Sequence, residues 1–141
     1  MTRNLKFVLV LAAAALAILP LASCKEGHNL YENMGRAEGV TKYTTAAIGY
    51  MSANPAVTKF IDQNEMKLLS QGMVTSIMKA SDLPMASDGV DLHEFFKGQG
   101  LDQPAIDGIR DAAVKAGKDV ALTPEGEKQL KSAMDGVLKG L

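Results

Sequence analysis

Along most of this chain, large apolar residues recur at intervals of three and four, the spacing that gathers side chains onto one face of an α-helix. From Glu38 to Ala53 the stripe is Val40, Tyr43, Ala47 and Tyr50, and from about Asn64 to Ala80 it is Met66, Leu69, Met73, Ile77 and Ala80. A third stripe runs through Ile106, Ile109, Ala113, Ala116 and Val120, and a fourth through Leu130, Met134, Val137 and Leu141. Boundary residues divide these runs. Asn29 can cap a brief helix to Met34 that Gly35 stops, and Asn54-Pro55 closes one helix and opens a single turn to about Ile61. Ser81 to Gly89 reads as a loop, followed by a short helix with Leu92, Phe95 and Phe96 that Gly98 and Gly100 terminate. Asp102 and Thr123-Pro124 start the last two helices. No segment reads as a strand and no repeat is present, so the pattern predicts one all-α domain.

The first residues follow a different plan. Arg3 and Lys6 precede an apolar run from Phe7 to Ala22, and the run ends at Leu21-Ala22-Ser23-Cys24. A basic start, an apolar centre and a small-residue processing site make an export signal. The run is 16 residues long and carries Pro20, short of the roughly 20 residues that a permanent membrane helix needs. Leu21-Ala22-Ser23-Cys24 resembles the lipobox of bacterial lipoproteins, in which a lipid is built on the cysteine and cleavage leaves that cysteine first. The expected organisation is a signal peptide over 1–23, a lipidated tether over 24–29 and a folded domain over 30–141. Cys24 is the only cysteine, which excludes an intramolecular disulfide. Palmitate-type acylation there would hold the domain on a membrane. Lys25, where an aspartate would favour inner-membrane retention, points to the outer membrane and its periplasmic face or the cell surface.

Charge and composition narrow the functional classes. Without Arg3 and Lys6, 13 of the 15 basic residues remain against 16 acidic ones, a formal charge of −3. That is no electrostatic footprint for nucleic acid. No catalytic triad, acid pair, zinc spacing or phosphate loop is visible, and the cysteine is committed to lipid, so the chain is not expected to be an enzyme. Asp102, Asp107, Asp111, Glu125 and Glu127 read as caps, dipole partners and solvated charge. Tyr31, Tyr43 and Tyr50 read as core or interface aromatics.

Leu30-Tyr31-Glu32-Asn33-Met34-Gly35 with Val40, then Ala53-Asn54-Pro55 and Phe60, resembles the opening of the group 1 truncated haemoglobins of bacteria and protozoa. Met66, Leu69, Pro84, Gly89 and Gly98-Gln99-Gly100-Leu101 continue the likeness in one ungapped register over about residues 30–107. The resemblance implies a two-on-two helical sandwich with a haem slot between a long distal helix and a short proximal one. It also implies oxygen binding or nitric oxide turnover at the iron.

In the same register the ligand and hydrogen-bonding positions are apolar. The proximal histidine position is Phe96, which has no lone pair for iron. The aromatic pair of the second helix becomes Ala47-Ile48, the polar distal residue becomes Met73, and of two phenylalanines over the porphyrin only Phe60 remains, beside Ile61. Ile48, Phe60, Met73, His93 and Phe96 are therefore the expected slot residues. His93, three residues before Phe96 on the same helix, is the candidate metal ligand, with a surface histidine between Asp91 and Glu94 as the alternative. Met73 opposite His93 would make an electron-transfer pair. His28 lies in the tether.

Two functions are compatible with this. One is a membrane-anchored globin that holds haem through His93 or an external ligand and handles a small gas or electrons. The other is a haem-free globin scaffold that binds a protein or an apolar ligand, its slot filled by Ile48, Met73 and Phe96.

Overall fold

Side-chain caps set most helix starts. In a computed structural model describing residues 28–84 and 89–141, Asn29, Asn54, Asp91, Asp102 and Thr123 hold extended backbone and accept a first-turn amide. They open α1 (Leu30–Asn33), α3 (Pro55–Thr58), α5 (Leu92–Gln99), α6 (Gln103–Asp119) and α7 (Pro124–Leu138). The other two helices, α2 (Arg36–Ser52) and α4 (Glu65–Ala80), start differently. Gly35 turns the chain into α2 through a left-handed φ of 94°. Ahead of α4, the Asp62 carboxylate accepts from the amides of Asn64 and Glu65, and the Glu65 carboxylate accepts from the Asp62 amide, so three amides at the turn are satisfied by a reciprocal pair of side chains.

Helix ends are equally local. Asp82 and Ala121 adopt left-handed φ values of 54° and 52°, and the next amides reach back, Leu83 to the Met78 carbonyl and Leu122 to that of Gly117. Leu122 then tucks into the core. Gly100 ends α5 with φ 62°, whereas Gly98, also expected to stop it, lies inside the helix.

The seven helices are the only regular elements among the described residues. Helix α2 packs on both α4 and α6, and α7 packs on α6 and α4. Short α5 bridges α4 and α7, α3 sits on α2 and α6, and α1 closes one end against α2, α4 and α7. The core between them holds Leu30, Tyr43, Met51, Leu69, Phe96 and Ile109, all fully buried. No described helix is long and apolar enough to cross a membrane. The expected signal peptide, Cys24 and residues 25–27 lie outside the described residues, as do 85–88 of the predicted loop. Of the expected tether, His28 and Asn29 join the fold: the His28 carbonyl accepts from the side chains of Asn33 and Gln129, at 3.0 and 2.9 Å.

Two stripe positions differ from expectation. Tyr50 is exposed and Met51 is buried in its place, because a helical face advances 3.6 residues per turn and reaches 51, not 50, three turns after Val40. The Tyr50 hydroxyl instead donates to Asp119 at 2.5 Å, which raises its pKa through that bond. Ala80 is exposed at the last position of α4, and the adjoining Ser81 is buried, its hydroxyl donating to the Ile77 carbonyl and accepting from the Tyr31 amide. Helix α2 also begins at Arg36 rather than Glu38.

Two features of α2 have measurable consequences. A Cβ on Gly39 would stand 1.6 Å from the Met34 carbonyl oxygen, so only glycine lets α1 dock there. Gly39→Ala is expected to lower unfolding free energy by about 3 kcal/mol in denaturant titration, the upper range for overpacking. The hydroxyls of Tyr43 and Thr44 are buried without partners. Burial drives the Tyr43 phenol pKa upward, so its contribution to stability is complete below the unfolded value of about 10 and falls as pH rises beyond it. Tyr43→Phe should therefore raise stability at neutral pH by about 1 kcal/mol and flatten the alkaline loss; an unchanged or lowered midpoint would contradict the unsatisfied hydroxyl.

Candidate functional site

Helix α5 has eight residues, and its sequence decides which way each side chain turns. Leu92 and Phe96, four apart, share the buried face, while Phe95 is half-buried and meets the Phe96 ring edge-on at 5.7 Å between centroids. Asp91 holds the start of the helix by accepting from the Glu94 amide at 3.1 Å. His93 is half-buried and points across to α7, where its Nδ1 lies 2.8 Å from the Val137 carbonyl oxygen. A carbonyl can only accept, so Nδ1 carries the proton in this bond and Nε2 is the acceptor of the neutral ring.

His93 stands on the wall of a cleft of about 700 Å³ between the C-terminal half of α4, the start of α5 and the C-terminal half of α7. Thr75 and Lys79 contribute from α4, Val90 and Leu92 from around the start of α5, and Val137 and Lys139 from the end of α7. Its lining combines aliphatic side chains with the polar Thr75, Ser76, Lys79, Asp91, His93 and Lys139, and its volume is in the range of about 300–1,000 Å³ found for small-molecule sites. Of its charged groups, Asp91 is engaged as the α5 cap, and none of the ion pairs among the described residues uses Lys79 or Lys139. A smaller groove of about 210 Å³ lies between α6 and α7, floored by Val114, Gly117, Leu130 and Met134 and edged by Arg110 and Asp135, which pair at 3.5 Å.

The five residues expected around a haem slot do not come together in either space. Met73 and Phe96 are 2% and 1% exposed and belong to the closed core. Ile48 and Phe60 are half-buried and pack against that core from α2 and from just beyond α3, with the Lys59 ammonium 5.2 Å from the Phe60 ring centroid. Only His93 reaches a cleft, and it does so away from Phe96's surroundings. Among the described residues no group of three or more His, Cys, Asp or Glu side chains is placed to hold a metal ion. The second histidine, His28, lies 3.1 Å from the Glu32 carboxylate on the exposed surface of α1.

Sequence reasoning did not find Thr75, Lys79, Val137 or Lys139. They follow no motif, and three helices that are distant in sequence have to meet before these residues line one surface. No protein-family model, curated protein or solved structure matches this chain.

Proposed function

We propose that this chain is an exported lipoprotein, held on the cell envelope by acylated Cys24, whose helical domain works without haem as a binding module. Its ligand site is the cleft between α4, α5 and α7. The observation that carries this reading is the division between Phe96, sealed in the core where an iron ligand would stand, and His93, turned away to α7 on the wall of an accessible cleft. A haem would need an imidazole in place of the Phe96 ring and room now occupied by Met73 and Phe96. His93 Nδ1 donates to the Val137 carbonyl on α7, and its ring lines the cleft rather than the closed core that holds Phe96. These residues do not fit a haem.

The two-on-two arrangement of a truncated globin is part of the same proposal. It is supported by the pairing of α2 with α4 and α6, by α7 lying across α6 and α4, and by a short helix spanning α4 and α7. A globin scaffold that has exchanged cofactor for side chains retains the helix order while losing the reaction. Met73 and Phe96, both sealed in the core, support that exchange: fully buried side chains of this size each contribute roughly 1.5–3 kcal/mol, replacing part of what haem contact would give. Among the described residues no arrangement nominates a catalytic step, and the proposed activity is binding. The export leader and the lysine after Cys24 support an outer-membrane location.

Two measurements test this. Titrating the purified protein with one equivalent of haem is expected to give no Soret band and no rise in melting temperature, because a ligand specific to the native state must stabilise it. A sharp Soret band that His93→Ala abolishes would overturn the haem-free reading. In cells fed labelled palmitate, the chain should take up label and fractionate with membranes. Cys24→Ser should remove the label and prevent processing after Ser23; label persisting in that variant would refute the lipid anchor.

A further inference from the structure

The point where the anchor meets the fold lies beside the cleft. Asn29, the first capping residue, donates from its side chain to the Ser81 carbonyl at 3.4 Å, and the Tyr31 amide donates to the Ser81 hydroxyl at 2.9 Å. Ser81 directly follows Lys79 and Ala80, which line the cleft. From Cys24 to Asn29 is five peptide steps, so even a fully extended chain spans only about 18 Å. An acylated Cys24 sits at the bilayer interface, and the rim formed by the end of α4 is then within that reach of the lipid headgroups.

The chemistry of the cleft matches a particular kind of molecule. Its walls present Val90, Leu92, Ala133 and Val137, which favour an alkyl chain. Its rim presents Lys79 and Lys139, two ammonium groups on flexible stems from separate helices. Asp91, the carboxylate of the cleft lining, is engaged as the α5 cap, and the two lysines outnumber it, while His93 donates to Val137. The volume, about 700 Å³, suits one chain rather than the several acyl chains of a mature lipoprotein anchor.

We infer that the cleft between α4, α5 and α7 binds a single-chain anionic amphiphile, a long-chain fatty carboxylate, taken from the leaflet to which Cys24 tethers the domain. Aliphatic walls hold the chain, and Lys79 and Lys139 receive the carboxylate. The inference rests on the envelope reading above and adds to it the class of ligand and its source.

One glycine makes a clean test possible. Gly136 lines the cleft on α7, and a Cβ placed there meets no atom within 4 Å. Gly136→Leu therefore fills space in the cleft without a clash at its Cβ, and it replaces a poor helix former with a good one. Full-length processed protein, with acylation of Cys24 verified by mass spectrometry, would be inserted in phosphatidylcholine nanodiscs and titrated with a fluorescent polyene fatty acid. Wild type should bind saturably above the signal of protein-free discs, and Gly136→Leu should bind at least tenfold more weakly while melting no earlier. Lys79→Glu with Lys139→Glu should weaken the carboxylate at least tenfold but leave the matching fatty alcohol nearly unchanged. Competing carboxylates of increasing length should gain roughly fourfold per methylene until the cleft is full. Equal binding by wild type and Gly136→Leu, or no saturable binding by an acylated wild type, overturns the inference and leaves the lipoprotein reading standing. A Cys24 found without lipid overturns both.

Discussion

The fold depends on how closely α6 can approach its neighbours. Its buried face is built from Ala105, Gly108, Ala112, Ala113, Ala116 and Gly117, with only Ile106 and Ile109 as large residues. A helix with so many small side chains lets adjacent backbones come near, and the bulk that fills the interface comes from the other side. At Gly108 a Cβ would stand 2.5 Å from the Asn54 side-chain nitrogen and 3.0 Å from a Val57 methyl, so the turn between α2 and α3 is seated directly on α6. Asn54 caps α3 from that seat by accepting from the Ala56 amide. The α2–α3 corner and α6 thus form one unit, and α4 and α7 are laid against it.

From that unit the functional geometry follows. Helices α4 and α7 both contribute large buried residues to the centre, Leu69, Met73 and Ile77 from one and Leu130, Met134 and Leu138 from the other. Their C-terminal halves are spanned by α5. Its Leu92 and Phe96 are drawn into the core, and the ring of His93, one residue on from Leu92, is left to find its partner on α7. The cleft is what remains between three helix ends whose apolar faces are already satisfied deeper down. A site made in this way has aliphatic walls because they are the outer edges of the core, and cationic rims because lysines sit where two helices end.

The same geometry decides what His93 can do. On a bare helix His93 and Phe96, three residues apart, lie within about 60° of each other around the axis. Packing separates them: the phenyl ring is the larger apolar group and takes the core, while the imidazole needs a polar partner and finds the carbonyl of Val137. The gain from burying the ring and the cost of burying an unpaired ring nitrogen act in the same direction.

Local rules written in the sequence were enough for the all-helical class, the placing of the helices and most of the core. Asn29, Asn54, Asp91, Asp102 and Thr123 each act on amides within three residues, and the 3.6-residue stripes of α2, α4, α6 and α7 are properties of each segment alone. The α2 stripe passes through Met51 and not Tyr50 because, at 3.6 residues per turn, a face advances about eleven residues over three turns. Tertiary structure alone decided the rest. Whether Phe96 faces a cavity or a packed core, that His93 turns to Val137, and that Lys79 and Lys139 share one rim all depend on helices 40 to 60 residues apart meeting at a given distance and angle. Those meetings are set by the summed shapes of many side chains, small on α6 and large on α4 and α7, and no single stretch of sequence contains that sum.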